Sequence, residues 1–458
     1  MQTNAVTEDQ NAVAESGSIQ AFFAGRGSTT FKMIDRGEGI YIWDTDGKRY
    51  LDGSSGAVVN NLGYGNPYVL AAMKEQAEKC CYAVRTIFAS ESMKTFSKRL
   101  ARLSGFDQVF PVSGGSESIE AAIKLARQYA IAIGQPERCK VLARMPGYHG
   151  ATLGAAAVTG DPDRDKIFGP MMRIMPKVPA PFNYRVPDNH TAESYERFCL
   201  AEFENTILRE GPESVLAFVM EPVGGVATGA LVSSAEYYRS VRQICDKYGV
   251  LLIYDEVMCG VGRTGKFLAA HHWPDATPDL AVLAKGLGAG YVPLGAMLAP
   301  NKIVDAVVAG GGFLHGHTYA GNPLACAVGN AVLEEFERMN LMENAHEMGI
   351  LLRDRLHAIA SRNTVIGDVR GVGLLNAIEI VKDQETKEVF PSDISASYRL
   401  VDIAREKGLI GYSRRAANGI YGEWLLIAPP LIITSEQVDE YAELLEDTIT
   451  TFEREIGR

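Results

Sequence analysis

Four short segments carry residues that can do chemistry, and each follows an apolar run. Asp255 and Glu256 come directly after GVLLIY. A carboxylate at the end of a buried strand needs a cation or a hydrogen-bond donor, although an ordinary capping acid would look the same. Lys285 ends the run PDLAVLA. An ammonium is costly to bury there, and burial lowers its pKa and makes the amine nucleophilic. A lysine at a domain edge with its head in water is the plain alternative. Val112–Ser118 (VSGGSES) leads into IEAAIKLARQYA, where Ile119, Ala122, Ile123 and Ala126 share a helical face. Ser116 or Ser118 can cap this helix. A Gly-Gly-Ser turn at a helix N-terminus offers N–H groups and a favourable dipole to a phosphate, or is simply a turn. Gly147-Tyr148-His149-Gly150 presents a ring to a flat ligand, or again forms a turn. His149 has no second ligand at metal-binding spacing.

A fifth segment, Gly260-Val261-Gly262-Arg263-Thr264-Gly265, is a literal G-x-G-x-x-G. A dinucleotide fingerprint must open a helix directly after a strand. Here two acids and Val257-Met258-Cys259 intervene, and Pro274 and Pro278 break the short segment after it. The nicotinamide reading is rejected.

These residues need a scaffold. Val215–Met220, Val250–Tyr254, Leu280–Leu283 and Leu294–Leu298 read as strands, and Ala235–Tyr248 as a helix. Continuous apolar strands alternating with amphipathic helices predict an α/β unit with a mostly parallel sheet covered on both faces. Asp46-Gly47 between apolar runs predicts a hairpin over 39–53. A long helical stretch, broken once, runs to about Ala360. DVRGVGLLNAIEIV looks like a Gly-kinked strand pair, and Ser435–Glu455 is a last helix. The expected division is 1–67 (arm and hairpin joining the small unit), 68–330 (large unit) and 331–458 (small α+β unit).

Composition sets limits. The 458 residues are 47% hydrophobic and carry a net charge of −11. Such a chain has no general attraction to nucleic acid or anionic membranes. Seven cysteines without regular spacing predict neither a disulfide framework nor a zinc ribbon. Adjacent Cys80 and Cys81 read as helix-packing residues, and the compartment as reducing cytoplasm. The polar, acidic N-terminus is unlike a signal peptide, and no apolar run is long enough to span a membrane.

A phosphate cup, an aromatic plate, a strand-end aspartate and a strand-end lysine together are what pyridoxal 5′-phosphate (PLP) requires. At this point the sequence resembles the class III (ω-type) aminotransferases of PLP fold type I. The resemblance runs from about Phe22 to the C-terminus. It rests on LDGSSG (51–56), SGGSESIEAA (113–122), GYHG, MEPV (220–223), YDEVMCGVGRTG (254–265), LAKGLGAG (283–290) and HTYAGNPLA (317–325). It implies a seven-stranded sheet in the large unit and a smaller α+β unit built from both chain ends. Lys285 would be the Schiff-base lysine and Asp255 the partner of the pyridinium nitrogen. Tyr148 and Val257 would cover the two ring faces, Gly115 and Ser116 would hold the phosphate, and Thr318 would complete that site in a neighbouring subunit. It also implies a homodimer with shared sites, or a tetramer of two such dimers.

Two departures bear on substrate. Amino-acid-specific members resemble EPIQGE where this chain has EPVGGV (221–226), so Val226 replaces their switch glutamate. Met258 replaces their glutamine after DEV. Both look more like ω-amino acid or amine:pyruvate aminotransferases, in which a mobile arginine pairs with the acceptor carboxylate. Arg414 and Arg415 are the candidates, with solvated loop arginines as the alternative. Phe22, Phe23, Ser54 and Ser55 can line the donor pocket. The implied reaction is ping-pong transfer from an ω-amino acid or amine to a 2-oxo acid, with pyruvate expected. An aminomutase, an epimerase or a decarboxylating aminotransferase on the same fold is the competing reading.

Overall fold

The computed structural model describes residues 31–458; Phe22 and Phe23 lie outside them. The main sheet has seven strands in the order Gln108–Val112, Gly295–Ala299, Leu280–Leu283, Leu251–Asp255, Val215–Met220, Lys140–Met145, Lys177–Pro179. Only Gly295–Ala299 runs against its neighbours. Every residue of Val215–Met220 is buried. Phe218 and Met220 enter one core while Ala217 and Val219 enter another. A strand covered on both faces has no polar side, which is why its sequence reads as an unbroken apolar run.

The expected strands 215–220 and 280–283 and helices 235–248 and 435–455 have the bounds read from the sequence. The other two strands are shifted by one residue, to Leu251–Asp255 and Gly295–Ala299. Ser234 and Thr434 cap the two helices, each accepting a hydrogen bond from the third helical N–H. The long helical stretch divides into Pro323–Arg338 and Leu341–Ala360, with Asn340 in the left-handed region at φ 51° between them. Residue 330 therefore lies inside a helix.

Two four-stranded sheets complete the molecule. In one, Ile34–Glu38, Tyr41–Asp44 and Arg49–Asp52 form a meander, and Leu409–Ile410 adds in parallel to Arg49–Asp52. Both ends of the chain thus build the smaller part of the fold, as expected. The other sheet is antiparallel, in the order Ile366–Val372, Leu375–Ile380, Gly422–Ile427, Tyr412–Ala416.

Cys80 and Cys81 do not pack on a helix. The helix Pro67–Lys79 ends before them, and both are exposed. All seven cysteines are free thiols. No described helix is long and apolar enough to cross a membrane.

Candidate active site

Three parallel strands end on one side of the main sheet and deliver Glu221, Asp255 and Lys285 to it. Gln108–Val112 runs in the same direction and delivers Ser113–Ser116. Gly295–Ala299 runs the opposite way, so the residues before it, Val292–Leu294, reach the same side. Ligand sites of open α/β sheets form at such carboxyl ends. A cavity of about 290 Å³ lies there, lined by Gly115, Ser116, Tyr148, Asp255, Val257 and Lys285 among others. These are all of the expected cofactor-binding residues except Thr318. Val226 and Met258 also line it.

Asp255 is 4% exposed and held from two sides. Its Oδ1 accepts from Val257 N at 3.0 Å, and its Oδ2 lies 2.8 Å from His149 Nδ1. An ionised carboxylate can only accept, so Nδ1 carries the proton in this contact. Sequence spacing tests His149 only as a metal ligand. Among the described residues no group of three or more metal-ligating side chains exists, and the structure gives this imidazole to Asp255 instead. The adjacent Glu256 turns away from the cavity and accepts from Ala269 N at 2.8 Å and Ala270 N at 2.7 Å. Burial pushes its carboxyl up to about 7. Glu221 is buried too and also raised by burial; its Oε1 accepts from Gly225 N at 2.9 Å.

Lys285 opens a single helical turn at φ 49°, a region that non-glycine residues rarely occupy. Burial lowers its amine to about 8, while Asp255 and Glu221 act in the opposite direction. A strained, half-buried lysine beside two carboxylates is no snorkelling surface residue.

The helix Gly115–Ala132 begins at the cavity, and no side chain caps it at Gly114. Neither expected cap serves. Ser118 Oγ bonds to Gly114 O and Leu283 O, both at 3.0 Å, and Ser116 Oγ accepts from Ala151 N at 3.0 Å. Glu117 reaches back instead, accepting from Ser113 N at 2.8 Å. The first N–H groups of the helix therefore stay open toward the cavity, as an anion site needs.

The family model for class III aminotransferases matches residues 22–449. The chain belongs to this family. An uncharacterised aminotransferase of Bacillus subtilis is 36% identical over 94% of this chain and 98% of its own length. The taurine–pyruvate aminotransferase of Bilophila wadsworthia is 34% identical over 92% and 93%. The crystal structure of an amine transaminase from an uncultivated Pseudomonas species, in its PLP-bound form, superposes with a TM-score of 0.87 at 34% identity, covering 95% of this chain and 97% of that one.

The aminotransferase is thus a PLP enzyme, and its residues fit that group. A held carboxylate, an amine of lowered pKa and an uncapped helix N-terminus face one cavity. The literal G-x-G-x-x-G opens no helix. At Gly262 φ is 82°, and an added Cβ would drive into the Phe336 ring, so the segment is a packed turn.

Two of the residues expected to bind substrate are engaged by other parts of the fold. Ser55 is buried and committed elsewhere, donating to Ala428 O at 2.7 Å and accepting from Arg263 Nη2 at 3.2 Å. Ser54 is fully buried as well, and neither serine is among the residues lining the cavity. Arg415 pairs at 3.1 Å with Glu423, which is fully buried, and donates to Phe390 O at 2.9 Å. It is a structural arginine. Arg414, next to it on the strand Tyr412–Ala416, points elsewhere and is bound to Asp161. Asp161 and Arg164 carried no signal in the sequence. Thr318 lies outside the cavity and is exposed.

Proposed function

We propose that this aminotransferase moves an amino group from an ω-amino acid or a simple amine to a 2-oxo acid, with pyruvate as acceptor, in a ping-pong cycle. The observation that carries this reading is the pairing of two features. Val226 and Met258 put apolar side chains into the cavity wall, and Arg414 is joined through Asp161 to Arg164, whose guanidinium lies 5.2 Å from the Tyr148 ring centroid. An apolar wall suits a donor without an α-carboxylate, and a nearby guanidinium suits a 2-oxo acid. The taurine–pyruvate relative and the amine transaminase neighbour support it.

Bound PLP supplies an aldehyde carbon and an electron sink. Lys285 then has two tasks. Its amine, lowered to about 8, is partly neutral at physiological pH and can hold the cofactor. The same Nζ would also be placed to take up and return a proton during transfer. Asp255, fixed by His149 and the Val257 N–H, would keep the ring nitrogen protonated. The open N–H groups at Gly115 and Ser116 would hold the phosphate, and Tyr148 and Val257 would confine the ring.

The same reading makes the enzyme a homodimer in which Thr318 of the partner subunit completes the phosphate site. Exposed apolar residues flank this threonine in sequence, Leu314 at 87% and Tyr319 at 62%. A second copy would cover them. Seven free thiols suit a cytoplasmic enzyme.

The test is the visible spectrum of the purified protein with amine donors and no acceptor. The reading expects a yellow band that fades with ω-amino acids or amines and returns with pyruvate. A band that no donor bleaches, with product still formed, would mark an aminomutase or epimerase instead, and release of carbon dioxide would mark decarboxylation.

A further inference from the structure

Arg414 and Arg164 share one oxygen. Arg414 Nη2 donates to Asp161 Oδ2 at 2.7 Å and Arg164 Nε donates to the same atom at 3.0 Å. The Asp161 side chain is 8% exposed, against 29% for Arg414 and 39% for Arg164. Its other oxygen accepts from Asp163 N at 3.2 Å and caps the helix Pro162–Phe168. The cluster lies behind Tyr148, outside the residues that line the cavity. The Arg164 guanidinium lies 5.2 Å from the centroid of the Tyr148 ring, which lines the cavity. Gly160, beside Asp161, pairs with Gly147, beside Tyr148.

One carboxylate between two guanidiniums leaves a single positive charge in excess. A second carboxylate arriving in the cavity can take Arg414 without leaving Asp161 unpaired, because Arg164 keeps it. When the cavity holds an uncharged group, Arg414 returns to Asp161 and no guanidinium faces apolar surface alone. Every charge has a partner in both states, so exchange between them does not expose an uncompensated charge. Arg415 cannot take part, since its departure would leave buried Glu423 unpaired.

We propose that Asp161 is a resident competitor for substrate carboxylates at Arg414. With Arg164 as its second partner, it sets how strongly the enzyme prefers carboxylate-bearing substrates over neutral ones. This rests on the transaminase reading above. Asp161 here has the task left open by Val226, from a different element of the fold.

The test uses the holoenzyme and two acceptors that differ in the carboxylate, pyruvate and propanal, each consuming the amino form of the enzyme in single turnovers. Asp161→Asn keeps the helix cap, because asparagine caps as well as aspartate. It should raise the pyruvate-to-propanal ratio of rate constants about tenfold, the worth of one charge-assisted hydrogen bond. Arg164→Met leaves Asp161 to Arg414 alone and should lower the same ratio; it carries the test if the asparagine variant does not fold. Calorimetric binding of unreactive propanoate should follow the same order, and adding Arg414→Met should abolish the difference between wild type and Asp161→Asn. A ratio and a propanoate affinity unchanged by both single substitutions would overturn the proposal. Wild-type enzyme whose band fades with no donor would overturn the transaminase reading, and the propanoate titration would still decide the role of Asp161.

Discussion

Replacing His149 with leucine isolates the support of Asp255. In the structure each carboxylate oxygen has one donor, Val257 N at 3.0 Å and His149 Nδ1 at 2.8 Å. The His149→Leu change removes the second and fills most of the space, so water cannot replace it at this nearly sealed site. A hydrogen bond to a charged group contributes about 1.5–3 kcal/mol, so the donor half-reaction should slow by about 10- to 150-fold. His149→Asn, which retains an N–H donor on a shorter side chain, should lose less. A second readout separates this from general damage. The Asp255 charge raises the Lys285 amine, opposing the larger lowering by burial. Weakening the charged form of Asp255 removes part of that opposition, so the Lys285 midpoint should move further below about 8. The rate is read from single-turnover bleaching of the cofactor band at saturating PLP, and the Lys285 midpoint from the pH dependence of PLP capture by the cofactor-free protein. A leucine variant within about threefold of wild type, with an unmoved midpoint, would refute the coupling.

Three further outcomes are expected. Capture of PLP by the cofactor-free protein, trapped with borohydride and mapped to Lys285, should speed up about tenfold per pH unit below about 8 and level off above it; a rise that continues to about pH 10 would mean an amine not lowered by burial. Gly115→Val places a Cβ 3.0 Å from Val257 Cγ1, and such overpacking should weaken PLP binding by about 1–3 kcal/mol, with Val257→Ala restoring it; unchanged affinity in a PLP titration would remove Gly115 from the site. Arg415→Met strands buried Glu423 and should destabilise the fold by about 3–5 kcal/mol, whereas Arg414→Met, whose partner Asp161 keeps Arg164, should change the urea midpoint little; equal losses would contradict this division.

Legibility in the sequence depends on how local the determinants are. Val215–Met220 and Leu280–Leu283 are buried along their whole length, so their boundaries are set by where apolar residues stop. Ala235–Tyr248 and Ser435–Glu455 start at capping residues that bond within the same turn. The apolar pattern starts the strand 295–299 one residue early because Leu294 is as apolar as its successors, and the reversed direction of this strand is fixed by two neighbours far away in sequence. The same limit applies to the site. Lys285 and Asp255 stand out because a charge at the end of an apolar run is anomalous by itself. His149 meets Asp255 across 106 residues and Arg414 meets Asp161 across 253. No local pattern encodes such pairs, so only their partners in space tell Arg414 and Arg415 apart. Ser55 misleads for the same reason, its true partners being Ala428 and Arg263.

The G-x-G-x-x-G segment joins these observations. Its only charged residue, Arg263, is fully buried, and burial lowers its guanidinium to about 9 while Asp52 acts in the opposite direction. Its Nη2 donates to Asn61 Oδ1 at 2.7 Å and to Ser55 Oγ, and its Nη1 donates to the carbonyls of Leu374 and Pro429. Those four acceptors belong to the segment after Arg49–Asp52, the turn before Leu375–Ile380 and the chain after Gly422–Ile427. One guanidinium therefore ties both smaller sheets to the loop that follows Asp255. Backbone carbonyls left without this donor would each be buried and unsatisfied, so the smaller sheets are fastened at the residues that shape the cavity. Arg414 stands on one of those sheets and Tyr148 beside the main one. A glycine-rich loop that resembles a nucleotide site instead fastens the two smaller sheets beside the cavity, through packing at Gly262 and the buried cation Arg263.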